Sequence, residues 1–313
     1  MKCEIQWRYD MRRDEWDALC RQCTHTTLLQ SYAYAQTMRA VHKQGVRHGI
    51  IYIDGHRAGI VQMQEVKLFG HMIHGLSIDR GPLWFNNFGS LMHTNAFTDA
   101  LNMQFPNRFG RKRRFLPEFI SRNAVLSFKN WPKVQYSSGY KTILVDLSPE
   151  LNEIRSNLKQ KWRNILNKSE KTDLTVKVDT NLDCLGTFLS QYMSDRMQRR
   201  YVGASPKFLS ALAKYTGMHD ECLLLMASIN DEIVASILIF QHAHGATYQC
   251  GWTTPHGRDK GAHHLLLWHA IGELKNRGIT DFDLGGYNDD TDGIRKFKEG
   301  LGGQNIALIG SYR

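Results

Sequence analysis

Short apolar runs of strand length, separated by turn dipeptides, come in sets of three along this chain. Residues 47–53 read as a strand, Asp54-Gly55 as a two-residue hairpin turn and 57–66 as the partner strand. Phe69-Gly70-His71 then turns the chain into a third strand over 72–77. The second half repeats the order, with strands over 222–229 and 232–240 around an Asn230-Asp231 turn, then 246–252 after His244-Gly245. Sequence with apolar residues at helical spacing precedes each set: Trp16 and Leu19 in one half, Phe188, Tyr192, Phe208, Leu209 and Leu212 in the other. A helical pattern and a further apolar strand follow each set, in the second half over 262–276 and 279–284. A duplicated α/β unit accounts for this order.

The join between the two halves falls near residues 137–148. Ser137-Ser138-Gly139-Tyr140 is loop-like, and 142–146 reads as a strand. Ser148-Pro149-Glu150 opens a helix over about 149–171, with Ser148 as N-cap and Pro149 at the first helical position. The expected domains are 1–143 and 144–313, with about 306–313 packing back on the first.

Length and composition fit this division. A chain of 313 residues with 42% hydrophobic and 22% charged residues supports two ordinary cores. No apolar run approaches the ~20 residues that span a bilayer, and the charged start lacks the apolar stretch of a secretory signal. A cytoplasmic protein is expected, with peripheral contact at the inner face of an anionic membrane left open. The six cysteines are scattered, and Cys20/Cys23 has no second pair at zinc-site spacing. His242/His244 and His263/His264 lack further ligands, so no metal, nucleotide or redox cofactor is expected. The net charge of +10 is concentrated: residues 108–171 hold fifteen basic and five acidic side chains, the whole of the excess. That points to a polyanionic partner, whether RNA, a diphosphate or an anionic membrane face, rather than DNA.

Four stretches together resemble the Fem family of aminoacyl transferases. They are Leu28-Leu29-Gln30-Ser31, Arg80-Gly81-Pro82-Leu83, the basic run Leu158 to Lys171, and Phe282-Asp283-Leu284-Gly285-Gly286 with Gly293 to Gly303. The resemblance implies α/β architecture with two tandem GNAT-like domains, each a mixed sheet flanked by helices, and a reaction site on the second. It further implies transfer of an amino acid from aminoacyl-tRNA to an amine of a UDP-linked or lipid-linked muramyl peptide. Lys298 matches the family's lysine at the reacting ester, Tyr248 its site tyrosine, and Arg199 or Arg200 its phosphate-binding arginine. The family's partner lysine in the first domain is replaced near Met38.

The residues admit this chemistry and leave alternatives. Lys298 can stabilise a tetrahedral oxyanion. Asp283 either orders the loop from Tyr287 to Asp292, with Tyr287 as a binding residue, or accepts the amine's proton. Arg199 and Arg200 can grip phosphate oxygens, while Lys159, Lys161, Arg163 and Lys168 on the basic helix would meet the RNA backbone. Arg258-Asp259-Lys260-Gly261-Ala262-His263 sits where an acyl-CoA-dependent GNAT domain cradles pyrophosphate, but His263 stands at the last small position and Asp259 adds negative charge. An acyl-CoA N-acyltransferase and a non-catalytic RNA-binding protein are therefore the alternatives.

Overall fold

The computed structural model describes residues 1–68, 72–120, 127–134, 139–287 and 292–313. The expected turn at Phe69-Gly70-His71, Ser137-Ser138 of the expected loop, and residues 288–291 after Tyr287 lie outside them. The chain forms two compact units, Met1–Tyr140 with Ile306–Arg313, and Lys141–Asn305.

The first unit runs β1 (Cys3–Arg8), α1 (Arg13–Cys20), α2 (Tyr32–His42), β2 (Gly45–Ile53), β3 (His56–Leu68), β4 (Met72–Asp79), β5 (Leu83–Trp84), α3 (Leu91–Gln104) and β6 (Lys112–Leu116). Its strands order as β1-β2-β3-β4-β6, with β5 on β3; all pairs are antiparallel except β4 with β6. Asp54 and Gly55 both take positive φ (47° and 84°), the two-residue turn whose twist suits a hairpin. Ile51, Ile53, Val61, Met63, Leu76 and Ile78 line one sheet face against Phe97 and Leu101 of α3. The chain's last residues close this unit, since Tyr312 and Phe115 exchange backbone hydrogen bonds of 2.8 and 2.9 Å.

Two of the motif stretches meet here for a structural reason. Where β4 diverges from β3, the Gln30 side chain fills the gap. Its Nε2 donates to Asp79 O (2.8 Å) and Gln62 O (3.2 Å), and its Oε1 accepts from Gln62 N (2.7 Å). A Cβ on Gly81 would lie 2.8 Å from Gln30, so the backbone passes it closely at a residue with no side chain. Ser31 then caps α2, accepting from Tyr34 N.

The second unit runs β7 (Lys141–Asp146), α4 (Leu151–Asn157), α5 (Gln160–Ser169), β8 (Thr175–Asp179), α6 (Leu185–Arg199), α7 (Pro206–Gly217), β9 (Cys222–Ile229), β10 (Glu232–His242), β11 (Gly245–Thr253), α8 (Pro255–Asp259), α9 (Ala262–Asn276), β12 (Asp281–Asp283) and α10 (Asp292–Glu299). Its sheet order is β13-β7-β12-β11-β10-β9-β8, where β13 is Gln304–Ala307. Leu223, Leu225, Ile237 and Ile239 face α5 and α9 in one core, and the period of two sends Leu224 and Leu238 to the opposite face. The duplication extends to the leading strand: β1 pairs with β2 as β8 pairs with β9, and β12 runs parallel to β11 as β6 does to β4.

The single basic helix expected over 149–171 is instead two helices, α4 and α5. Leu158 and Lys159 between them are extended (ψ 135° and 141°), and Lys159 N donates to Gly300 O at 2.9 Å. The backbone at Gly302 packs on Asn157, where a Cβ would lie 2.3 Å from its carbonyl oxygen. This tertiary contact overrides the helical pattern. Nor does Ser148 cap: its N–H goes to Asp146 Oδ1 (2.8 Å), Glu150 is the N-cap, and the helix starts at Leu151 rather than Pro149.

Candidate active site

The site begins where the second sheet opens. β12 pairs with β11 only over Gly245–Thr247 and ends at Asp283, while β11 continues to Thr253. The β10–β11 register shifts between Leu238 and Ile239, opposite Cys250 and Tyr248, which makes Gln249 the extra residue of a bulge. Among the described residues, β11 beyond Thr247 therefore pairs with β10 alone, and its other edge has no strand partner. In the first unit the equivalent pair does not open, because β4 stays paired with β6 through Asp79, its last residue.

A tight turn below β11 forms the floor. Asp283, buried at the end of β12, accepts from Gly285 N (2.8 Å) and from the Thr142 hydroxyl on β7. Gly285 has φ 74°, and a Cβ there would lie 2.6 Å from Tyr248 O. Only glycine permits this approach. The turn's carbonyls point at Lys298 of α10, whose Nζ donates to Gly285 O (2.8 Å) and Gly286 O (3.0 Å). Lys298 is only 6% exposed, and its Nζ lies 5.8 Å from the Tyr248 ring centroid. Burial lowers its pKa to about 8, a shift that the nearby Asp283 charge partly opposes.

The first turn of α9 forms the wall. Gly261, at φ 75°, leads into Ala262 and His263 without a side-chain cap. His263 Nε2 lies 3.2 Å from Tyr248 Oη, and 2.8 Å from where a Cβ on Gly251 would stand. Phe297 packs edge-on to both His263 and His264, with ring centroids 6.0 and 5.0 Å away, and Trp162 lies 4.8 Å from His264. Burial lowers both histidines to about 4, so both are neutral at pH 7, and raises Tyr248 far above the usual phenol. The arrangement is one buried cation beneath an open strand edge, beside a neutral Tyr–His pair. That suits charge stabilisation on a reacting carbonyl better than proton abstraction.

Of the residues singled out in the sequence, Lys298, Asp283 and Tyr248 meet at this point, joined by Thr142 and Gly285. The Tyr287 hydroxyl donates to Asn305 Oδ1 at 3.0 Å. Arg199 Nε is held by Asp195 Oδ1 at 2.7 Å, and Asp195 also accepts from the Tyr201 hydroxyl. Arg200 is the left-handed residue that ends α6. The four basic residues singled out in the 158–171 run divide. Lys161 and Lys168 are exposed on α5. Lys159 pairs with Glu299 at 3.1 Å, and Arg163 donates to Ser156 O at 3.1 Å. Thr142 carried no signal of its own, being one polar residue at the start of an apolar strand.

Comparison with known proteins follows this geometry. Residues 152–299 match the family of acetyltransferase (GNAT) domains. The crystal structure of FemX superimposes with a TM-score of 0.78 at 14% identity, covering 99% of this chain and 96% of that one. The chain has the tandem GNAT fold of the Fem type. A tandem GNAT protein from the clavulanic acid biosynthesis pathway has the same fold, with a TM-score of 0.53 at 7% identity over 99% and 98% of the two chains. The C-terminal domain of a putative lysylphosphatidylglycerol synthetase from Agrobacterium fabrum gives 0.51 at 14% identity over 80% of each chain. No curated protein matches the sequence significantly. The matched residues 152–299 lie within the second unit, and the likeness to FemX extends over the whole chain at the level of fold.

Proposed function

We propose that the second unit transfers an amino acid from aminoacyl-tRNA to an amine on the stem peptide of a peptidoglycan precursor. The observation that carries this reading is the buried Lys298 ammonium beneath the unpaired edge of β11. The amine attacks the ester carbonyl, the C–N bond forms and the C–O bond to the ribose breaks. The amine loses a proton and the departing ribose oxygen gains one. Lys298 supplies the hydrogen bond and charge that the carbonyl oxygen needs as it becomes an oxyanion, a role worth about 3 kcal/mol in comparable sites. Asp283 acts through the Gly285 turn that orients Lys298. The basic residues Lys159, Lys161, Arg163 and Lys168 would meet RNA phosphates, and Arg199 with Arg200 the acceptor's phosphates. The likeness to FemX supports donor and acceptor class alike.

A second reading, acyl-CoA-dependent N-acylation, is favoured by the match to the GNAT acetyltransferase family and by the uncapped start of α9. Against it stands the His263 ring, which occupies the space between α9 and β11. One assay separates the two readings. The purified protein is incubated with radiolabelled aminoacyl-tRNAs and a UDP-linked muramyl pentapeptide, with and without RNase, beside a tube containing acetyl-CoA. RNase-sensitive amide formation supports the proposal. Thiol release from acetyl-CoA with no amide from tRNA overturns it.

A further inference from the structure

The loop from α3 to β6 in the first unit is held rigidly from below and carries a bare apolar tip. Arg113 is only 6% exposed, yet donates to Asn102 Oδ1 (2.9 Å), Phe105 O (3.2 Å) and Asn130 O (2.7 Å). Its guanidinium lies 4.1 Å from the Trp131 ring centroid. Above it, Arg111 Nη1 donates to Pro106 O (3.1 Å), and Arg111 N to Arg108 O (3.1 Å) across a turn containing Gly110 at φ 79°. At the apex of this turn Phe109 is fully exposed. Arg108 and Lys112 flank it, Lys129 is exposed on the turn that Arg113 grips, and no acidic residue occurs between Asp99 and Glu118.

We propose that this loop docks the protein on an anionic lipid bilayer, with Phe109 entering the headgroup–acyl boundary and the surrounding cations meeting lipid phosphates. Phe109 is fully exposed at the apex of the turn, and the residues beside it, Arg108 and Lys112, are exposed cations, so an apolar group is presented together with positive charge. Shape selects the partner. Single-stranded nucleic acid stacks on aromatic rings lining a groove, whereas Phe109 crowns a convex turn. Interfacial anchoring combines an apolar group with basic side chains in this way. Among the described residues no helix is long and apolar enough to cross a membrane. The inference does not depend on the chemistry proposed for the second unit.

The test is co-sedimentation of the full chain with vesicles of phosphatidylcholine alone and vesicles containing phosphatidylglycerol. The expected result is retention only on the anionic vesicles, weakened about tenfold by Phe109→Ser and about fivefold by each of Arg108→Glu and Lys112→Glu. The ring is fully exposed, so Phe109→Ser should leave the melting temperature and turnover on a soluble acceptor unchanged. Phe109→Trp should shift its emission to the blue on anionic vesicles. Equal retention on both vesicle types, no retention, or an unshifted tryptophan on bound protein would each overturn the inference. Loss of tRNA binding by Phe109→Ser with vesicle retention intact would assign the loop to RNA instead.

Discussion

Replacing Lys298 with methionine separates the proposed chemistry from a merely structural lysine, because only the chemical role predicts a large loss of turnover with little change in stability. Burial depresses the native pKa from 10.5 to about 8; at 1.36 kcal/mol per pH unit, holding the ammonium inside costs about 3 kcal/mol at neutral pH. Methionine is similar in length and removes that cost. The substitution also removes two hydrogen bonds, to Gly285 O and Gly286 O, worth about 1–3 kcal/mol each. Those carbonyls are not left bare, however. Gly286 is exposed and Gly285 is half-buried, so water can replace the lost donor at these carbonyls. The opposing terms nearly cancel, so Lys298→Met should shift the melting temperature by about 4 °C or less. Turnover should fall about a hundred- to a thousandfold.

The pH dependence follows from the same shift. Below pH 8 the native and unfolded chains both hold the proton, and the native state bears the full burial cost. Between about 8 and 10.5 the native chain has lost a proton that the unfolded chain keeps, so stability rises with pH. Wild type should therefore gain about 3 kcal/mol over Lys298→Met between pH 7 and pH 10.5, read from urea midpoints. Turnover should decline above about pH 8, where the ammonium is lost. A methionine variant that keeps a tenth of wild-type turnover, or a stability gap that does not move with pH, would refute the reasoning.

Three further outcomes can be checked directly. His263→Gly clears the ring from the space beside Gly251 and should tighten acetyl-CoA binding about tenfold by calorimetry, equivalent to about 1.4 kcal/mol; unchanged affinity means that the ring is no barrier. Gly300→Ala would put a Cβ 2.3 Å from Trp162 Cδ1, and should destabilise the second unit by about 1–3 kcal/mol, against which an unaltered urea midpoint would count. Gln30→Met keeps the bulk but strands Gln62 N and Asp79 O, so amide exchange at Gln62 should accelerate by at least about tenfold through a loss of about 1–3 kcal/mol. Exchange as slow as in wild type would mean that the gap closes without Gln30.

The hairpins were legible because their turn chemistry is local. Asp54-Gly55 and Asn230-Asp231 take the positive φ values that such turns require. The third turn begins one residue before the expected His244-Gly245, at Ala243, which also takes positive φ. β1 and β8 were not read as strands; each is a short, half-exposed edge strand whose pattern is weak until its partner is known. The division of the basic helix was illegible for a different reason. Leu158 and Lys159 are sound helix residues, and only the distant Gly300–Gly302 turn pulls them straight. In the site, Asp283, Gly285 and Lys298 lie close enough in sequence to suggest one turn. Thr142 is 141 residues from the carboxylate that it binds, a separation that no local pattern bridges. The Tyr287 hydroxyl donates to Asn305, a partner equally invisible before folding.

The central claim, that an ester carbonyl reacts over Lys298 at the open edge of β11, is tested most directly by a crystal structure with a hydrolysis-resistant 3′-aminoacylamide analogue of the tRNA terminus. The account predicts the analogue's carbonyl oxygen about 3 Å from Lys298 Nζ, with its chain lying along Tyr248–Thr253. An analogue bound in the first unit, or in the second unit with Lys298 still closed on Gly285 and Gly286 and remote from the carbonyl, would contradict it.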